Sequence, residues 1–323
     1  METKRGLSKS FLKKFLTNDS AGAVLIWIII AIILIIVTGD TFLTMRNFRN
    51  LSRYMSFYIM VGLGVLMVFM SGGMDMSLGA TMGMAGIVTA YLSKTGLPLV
   101  VVILAGIGVG LIIGGFNGYI IGYLRFPAFI ATLGCQQLVR GLINVITKGY
   151  PINELGESFV VMGTGYFLSI PIPVWIAAFI ALVTWYVLNK TVFGRRLAAT
   201  GGNEQAAMVS GINTRKHRMM AYMYGGALAG IAGMVLTARM SVAQTSTGTG
   251  FELEAIAGAI IGGASAEGGK GSVLGTIFGI MVVYTLKNGM SLLQVNAYWQ
   301  SAMQGAIVLL AVFLDIVRKH NTK

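Results

Sequence analysis

The chain offers few groups for covalent chemistry. Its two histidines, His217 and His320, flank apolar segments at basic edges, and its one cysteine, Cys135, has no partner for an internal disulfide. A histidine-based metal site or a nucleophile–base dyad needs such groups gathered together, so no catalytic residue and no metal are expected. Gly268-Gly269-Lys270-Gly271-Ser272 has the look of a phosphate loop. It fails twice: Ala264 stands where a glycine is needed, and Gly271 follows the lysine where Ser or Thr would hold magnesium. ATP hydrolysis is not expected of this chain, and no cofactor is called for. If it transports actively, the energy must arrive from a partner.

Ionisable side chains inside apolar runs are more informative, because a charge at membrane depth is costly unless paired or hydrated. Asp75, Arg140, Arg239 and Lys287 are the candidates, with Asn117, Gln136, Gln137, Asn144 and Asn288 as neutral companions. Gln136, Arg140 and Asn144 are spaced by four and share one helix face. Such groups either bond neighbouring helices or line a hydrated route for a polyhydroxylated solute, which needs donors and acceptors in place of water. Asn117, Gln136, Arg140, Asn144 and Asn288 are therefore the candidates for a translocation route. Asp75, next to Gly72 and Gly73, equally suits a cap for the helix that follows.

One polar stretch lies between two strongly apolar segments, is basic, and still favours a helix. Gly201 and Gly202 break the chain, Asn203 can cap, Glu204-Gln205-Ala206-Ala207-Met208-Val209 form helix readily, and Ser210 and Gly211 end the run before Ile212. A helix of about eight residues is marginal alone. It is expected to be held against something, with Arg195 and Arg196 anchoring at lipid headgroups. The plainer reading is an ordinary surface loop.

The elements that would position these groups are membrane spans. Of 323 residues, 55% are hydrophobic and 11% charged, and the mean hydropathy is +0.78. Soluble domains carry about 25% charged residues, and several runs here reach the roughly 20 apolar residues that cross a bilayer. The fold class expected is all-α, a polytopic helical membrane protein. The net charge of +13 would suggest nucleic acid in a soluble protein, but the positives sit between spans, where they report orientation, so no nucleic-acid partner is expected.

The spans run about 21–38, 54–71, 76–92, 98–123, 126–147, 171–190, 217–238, 255–263, 272–289 and 298–317, with an amphipathic piece, Phe42 to Arg53, along the membrane surface. The run at 255–263 is too short to cross unless it is a half-helix joined to irregular backbone. This divides the chain into a cytoplasmic segment 1–20, a membrane domain 21–317 with a cytoplasmic loop 190–217, and a cytoplasmic tail 318–323. Ten crossings place Lys190, Arg195, Arg196, Arg215, Lys216 and Arg218 inside with both termini, and Glu154, Glu157, Glu252 and Glu254 outside, as the positive-inside bias allows. Arg46, Arg49 and Arg53, on the outer side, are the exception. Gly106, Gly110, Gly114, Gly118 and Gly122 leave one face of the fourth span nearly bare for close helix packing, and Gly226/Gly230, Gly258/Gly262 and Gly271/Gly275/Gly279 repeat the pattern.

Four segments carry a resemblance: Ser71-Gly72-Gly73-Met74-Asp75-Met76-Ser77-Leu78-Gly79; Asn117-Gly118 with Leu124 through Pro127 to Gly134; Gly194-Arg195-Arg196 with Gly201 through Ala207 to Ser210-Gly211-Ile212; and Gly262-Gly263 with Gly268-Gly269-Lys270-Gly271-Ser272 through Thr276. Together, and in this order, they resemble the permease subunits of bacterial ATP-binding-cassette importers of the ribose, xylose and galactoside class, over nearly everything from 40 to 317. Met74 and Met76 replace branched aliphatic residues usual in the first segment, and Ala199 stands where a bulkier residue is common.

The resemblance implies a ten-helix, second-type importer fold in the bacterial inner membrane. It also implies a second permease subunit, identical or not, two cytoplasmic ATPase subunits, and a periplasmic or lipid-anchored binding protein that delivers the solute, a monosaccharide or related small polar molecule. Residues 201–212 would then be the coupling helix in a cleft of the ATPase, while Asp75, Pro127, Gly268, Gly269 and Gly271 would serve structural motifs. An ion-coupled secondary transporter is the alternative, but it needs membrane acids to carry protons or sodium, and Asp75 is nearly the only one foreseen.

Overall fold

The structure, a computed structural model, describes the backbone of residues 19–320 and side chains from 21 to 313. The N-terminal segment 1–20 therefore lies outside the described residues apart from the backbone of Asp19 and Ser20. Residues 321–323 of the tail lie outside them too, and of residues 318–320 only the backbone is described.

Thirteen α-helices occur among the described residues. The uninterrupted apolar run after Asp19 makes α1 (Asp19–Thr38), which lies on the outside of the bundle. Its Ile36 and Val37 are bare, while Leu34 packs at Gly289 and Trp27 Nε1 donates to Thr285 Oγ1 at 3.1 Å. Next comes α2 (Met45–Met70), started by Thr44, whose hydroxyl accepts from the Asn47 amide. It is the central pillar, buried along nearly all of its apolar length.

The expected surface piece Phe42–Arg53 is corrected here. No Gly or Pro separates it from the following span, so most of it belongs to α2, and Asn47, Leu51 and Arg53 are buried in the bundle. Two of the misplaced arginines are accounted for in the same way: Arg49 and Arg53 lie over the Tyr166 ring at 5.5 and 5.0 Å, and Arg53 donates to the Thr164 carbonyl. Their positions are fixed by packing rather than by the charge bias.

Next along the chain come α3 (Leu78–Lys94), α4 (Leu99–Gly122), α5 (Ala128–Thr147), the short α6 (Glu157–Thr164) and α7 (Ile172–Lys190), with a small hairpin, β1 (Tyr166–Phe167) to β2 (Ile170–Pro171), before α7; of these helices α7 packs on the pillar. A second central helix, α10 (Thr214–Met240), follows α8 (Val192–Gly202) and α9 (Glu204–Val209). The bare glycine face of α4 meets α10 as expected. A side chain on Gly106, Gly110, Gly114 or Gly118 would run into Met234, Gly226, Tyr222 or Met219, so the two backbones approach with nothing between them.

The last part is α11 (Phe251–Ile261), α12 (Val273–Leu292) and α13 (Ala297–His320). Gly258 and Gly262 of α11 meet Gly279 and Gly275 of α12 by the same close approach. Ahead of α11 the chain is irregular: Ala243 exchanges two backbone bonds with Ile152 at one end of the bundle, and Gly248 sits against Gly79 and Met82, a turn inside it. This is the half-helix continued by non-helical backbone that the short apolar run required.

Among the described residues seven helices are long and apolar enough to cross a membrane: α1, α2, α4, α5, α7, α10 and α12. The ten crossings expected are approximate, since α3 has 17 residues, α13 is apolar over Ala297–Phe313, and α11 has 11.

Candidate functional site

At one end of the bundle three remote segments meet. Gly201, in the last turn of α8, lies so close to the Met70 carbonyl and the Gly72 and Gly269 amides that no side chain fits. Gly268 stacks in turn on Gly72 and Gly201, and Gly72, Gly268 and Gly269 all have positive φ, open to glycine at little cost. Three of the four sequence signatures thus form one glycine-lined junction. Pro127 and Gly271 hold other places: Pro127 caps the start of α5, and Gly271 faces Leu66 and Ala264.

From this junction α9 projects. The chain does not break at Gly201 and Gly202 as expected; α8 runs through both, and the break falls at Asn203, whose extended backbone ends one helix and whose side chain accepts from Ala206 N at 2.9 Å to begin the next. The helix has six residues rather than eight and ends at Gly211, φ +79. Glu204 fixes its base: one oxygen accepts from Arg218 Nη2 at 2.8 Å, the other from Thr214 Oγ1 at 3.2 Å. Ala207 is buried and the backbone of Ile212 closes on the Ala207 carbonyl, whereas the side chains of Gln205, Ala206, Ser210 and above all Val209, 91% exposed, face outward. Beside it opens a cleft of about 310 Å³, lined by Arg125, Arg215, Arg218, Glu204, Gln205 and Met208.

Asp75 stands at the junction's edge, buried. Its Oδ1 accepts both the amide and the hydroxyl of Ser77, at 2.8 and 2.6 Å, and Asn117 donates to that hydroxyl at 2.8 Å. Asp75 therefore holds Ser77, the residue preceding α3, rather than capping the amides of α3 itself.

The five route candidates do not come together. Asn117 belongs to the Asp75 cluster, Asn144 is exposed on α5, and Asn288 is paired with Asn47 near the start of α2. Gln136 and Arg140 alone share a place, against the irregular segment before α11. Gln136 Nε2 donates to Glu252 Oε1 at 3.0 Å, and Arg140 donates to the carbonyls of Thr245, Thr247 and Gly79 at 3.2, 2.7 and 3.1 Å. Glu252 and Glu254, expected on an outer segment, are buried in the first turn of α11, where their charge suits the helix N-terminus. Glu254 binds Lys287 at 2.6 Å, and Lys287 also donates to the Tyr58 hydroxyl at 3.1 Å. The half-helix thus carries two buried acids, one of them paired with a lysine in an apolar span. A signal existed in the sequence: Lys287 and Asn288 interrupt an apolar span and demand partners.

A family model described as branched-chain amino acid transport system / permease component matches residues 47–312. The chain is similar to the ribose import permease protein RbsC of Haemophilus influenzae, 36% identical over 89% of this chain and 90% of the relative. It is similar also to RbsC of Escherichia coli strain K12, 37% identical over 94% and 95%, and to the D-allose transport system permease protein AlsC of the same strain, 34% identical over 92% and 91%. No solved structure matches.

Proposed function

This chain belongs to the branched-chain amino acid transport system / permease component family, and from that membership we infer a permease subunit of an ATP-binding-cassette importer that moves a monosaccharide across the inner membrane. The relatives named for ribose and allose favour a sugar over the amino acids of the family's description. Two such chains, identical or not, pair over two ATPase subunits, and an external binding protein delivers the solute. The loop carrying α9 and both termini face the cytoplasm.

The observation that carries the coupling role is the exposed face of α9 on a base tied by Glu204 to Arg218 and Thr214. Its Met208 and Val209 are free to enter a groove on an ATPase, and the arginines of the adjoining cleft suit acidic side chains there. A force on α9 passes through Glu204 and Arg218 into α10, and through Gly201 into the loops that begin α3 and α12. ATP-driven closure can then favour one of two membrane conformations, which is all that coupling requires.

The test is reconstitution in vesicles with a partner ATPase and a binding protein. Uptake should need ATP and survive collapse of the proton gradient, and deleting 203–211 should abolish both co-purification of the ATPase and uptake. Uptake driven by a proton gradient without any ATPase would establish the secondary transporter instead.

A further inference from the structure

The end of the bundle opposite α9 holds a second open cleft, of about 290 Å³, at the small end of ligand pockets. Its floor is aromatic. Tyr58 and Phe251 stack with ring centroids 4.1 Å apart and planes 1° from parallel, Tyr284 adjoins Tyr58 at 5.1 Å, and Tyr54 stacks on Tyr284. Its rim is polar: the irregular segment before α11 contributes Thr247, and α12 contributes Lys287.

Two features separate this cleft from plain packing. Thr247 lines the cleft with only 7% of the residue exposed, and its hydroxyl, closed off from solvent, has no hydrogen-bond partner. Lys287 uses two of its three donors, on Tyr58 and Glu254. A buried orphan hydroxyl is destabilising unless something completes it. Lys287 is the one charged residue among those lining the cleft, and Glu254, buried behind it, balances its charge. Tyr58 is buried behind Phe251, and the half-buried Phe251, Tyr284 and Tyr54 leave ring surface for C–H groups, while the rim offers donors and acceptors to hydroxyls.

We propose that this cleft is a binding station for a neutral monosaccharide inside the permease itself, with the half-buried Phe251 and Tyr284, backed by the buried Tyr58, as the stacking platform and Thr247 and Lys287 as hydroxyl partners. The proposal rests on the transport reading and adds a solute site to it. The station is joined to the coupling end by α11, a single helix of 11 residues with Phe251 and Glu254 at its cleft end and the Gly262–Gly271 loop, which abuts Gly201, at the other. A shift of the junction would move the floor of the cleft.

The test uses the complete complex in vesicles with labelled D-ribose, D-allose, D-xylose, D-galactose and L-leucine, scored as solute moved per ATP hydrolysed. At least one sugar should be carried and leucine should not. Tyr284→Leu and Thr247→Val should each lower sugar moved per ATP by fivefold or more, and Tyr284→Phe, which keeps the ring, should recover most of the loss. Thr247→Val removes one oxygen at constant shape, so it remains informative if Tyr284→Leu does not fold. Carriage of leucine alone, or wild-type sugar per ATP in both variants, overturns the station while leaving the permease reading intact. A wild-type complex that binds no ATPase refutes the permease reading itself.

Discussion

Arg140 illustrates why a charge is kept deep in an apolar bundle. Its planar fork reaches carbonyls on two segments at once, Thr245 and Thr247 before α11 and Gly79 in α3, and so pins an irregular stretch whose carbonyls would otherwise be buried without donors. A lysine presents one compact head and cannot span them. Arg140→Lys should therefore cost about 2 kcal/mol, in the range measured for hydrogen bonds to charged groups, seen as a lower thermal unfolding midpoint in detergent; an unchanged midpoint would assign Arg140 to the solute route instead. The sequence showed that Arg140 and Gln136 share a face, because spacing by four suffices for that. Their partners lie 61 to 116 residues away, beyond any local pattern.

The pairing of α4 with α10 turns on which glycines of one helix face the other. Gly110 lies against the Gly226 backbone, where a side chain has no room, whereas Gly108, two residues earlier and on another face of the same helix, has nothing within 4 Å. Gly110→Leu should cost about 3 kcal/mol or more, since overpacking a tight contact costs about 1–3 and backbone yields less than side chains; Gly108→Leu should be nearly neutral. Detergent-solubilised yield and the unfolding midpoint separate the two, and equal sensitivity would refute the packing. This register was readable because every fourth residue returns to one face of a helix. The Asn203 cap was readable for an equally local reason, as its side chain reaches only three residues ahead. Less was readable at the start of α2, where Phe42–Arg53 has the amphipathic pattern of a surface helix and only tertiary burial of Asn47 and Arg53 decides otherwise.

The molecule as a whole is a bundle with an apolar exterior and polar ends. Large side chains stand bare along its flanks, Ile36 on α1, Val145 on α5 and Phe179 on α7 among them, where lipid tails replace water as solvent. If α7 crosses the membrane, Glu154 before it and Val209 beyond it open to opposite sides. Cys135 is buried, so Cys135→Ala gives a quiet background. In it, Val209→Cys should react with an impermeant maleimide only in inside-out vesicles and Glu154→Cys only in intact spheroplasts; labelling of both from one side would remove the topology proposed.

The sequence by itself determined the solvent this protein folds in, the helices long enough to cross it, the glycine faces that let them touch and the cap that starts the short projecting helix. All of these follow from runs, periods and spacings within one turn or one span. Only the tertiary structure decided that Glu252 and Glu254 are buried, that Gly72, Gly201 and Gly268 form one junction, and that Lys287 meets Tyr58 from 229 positions away. A polar group in a dry interior takes whichever partner the packing brings within reach, and that choice is made in space rather than along the chain.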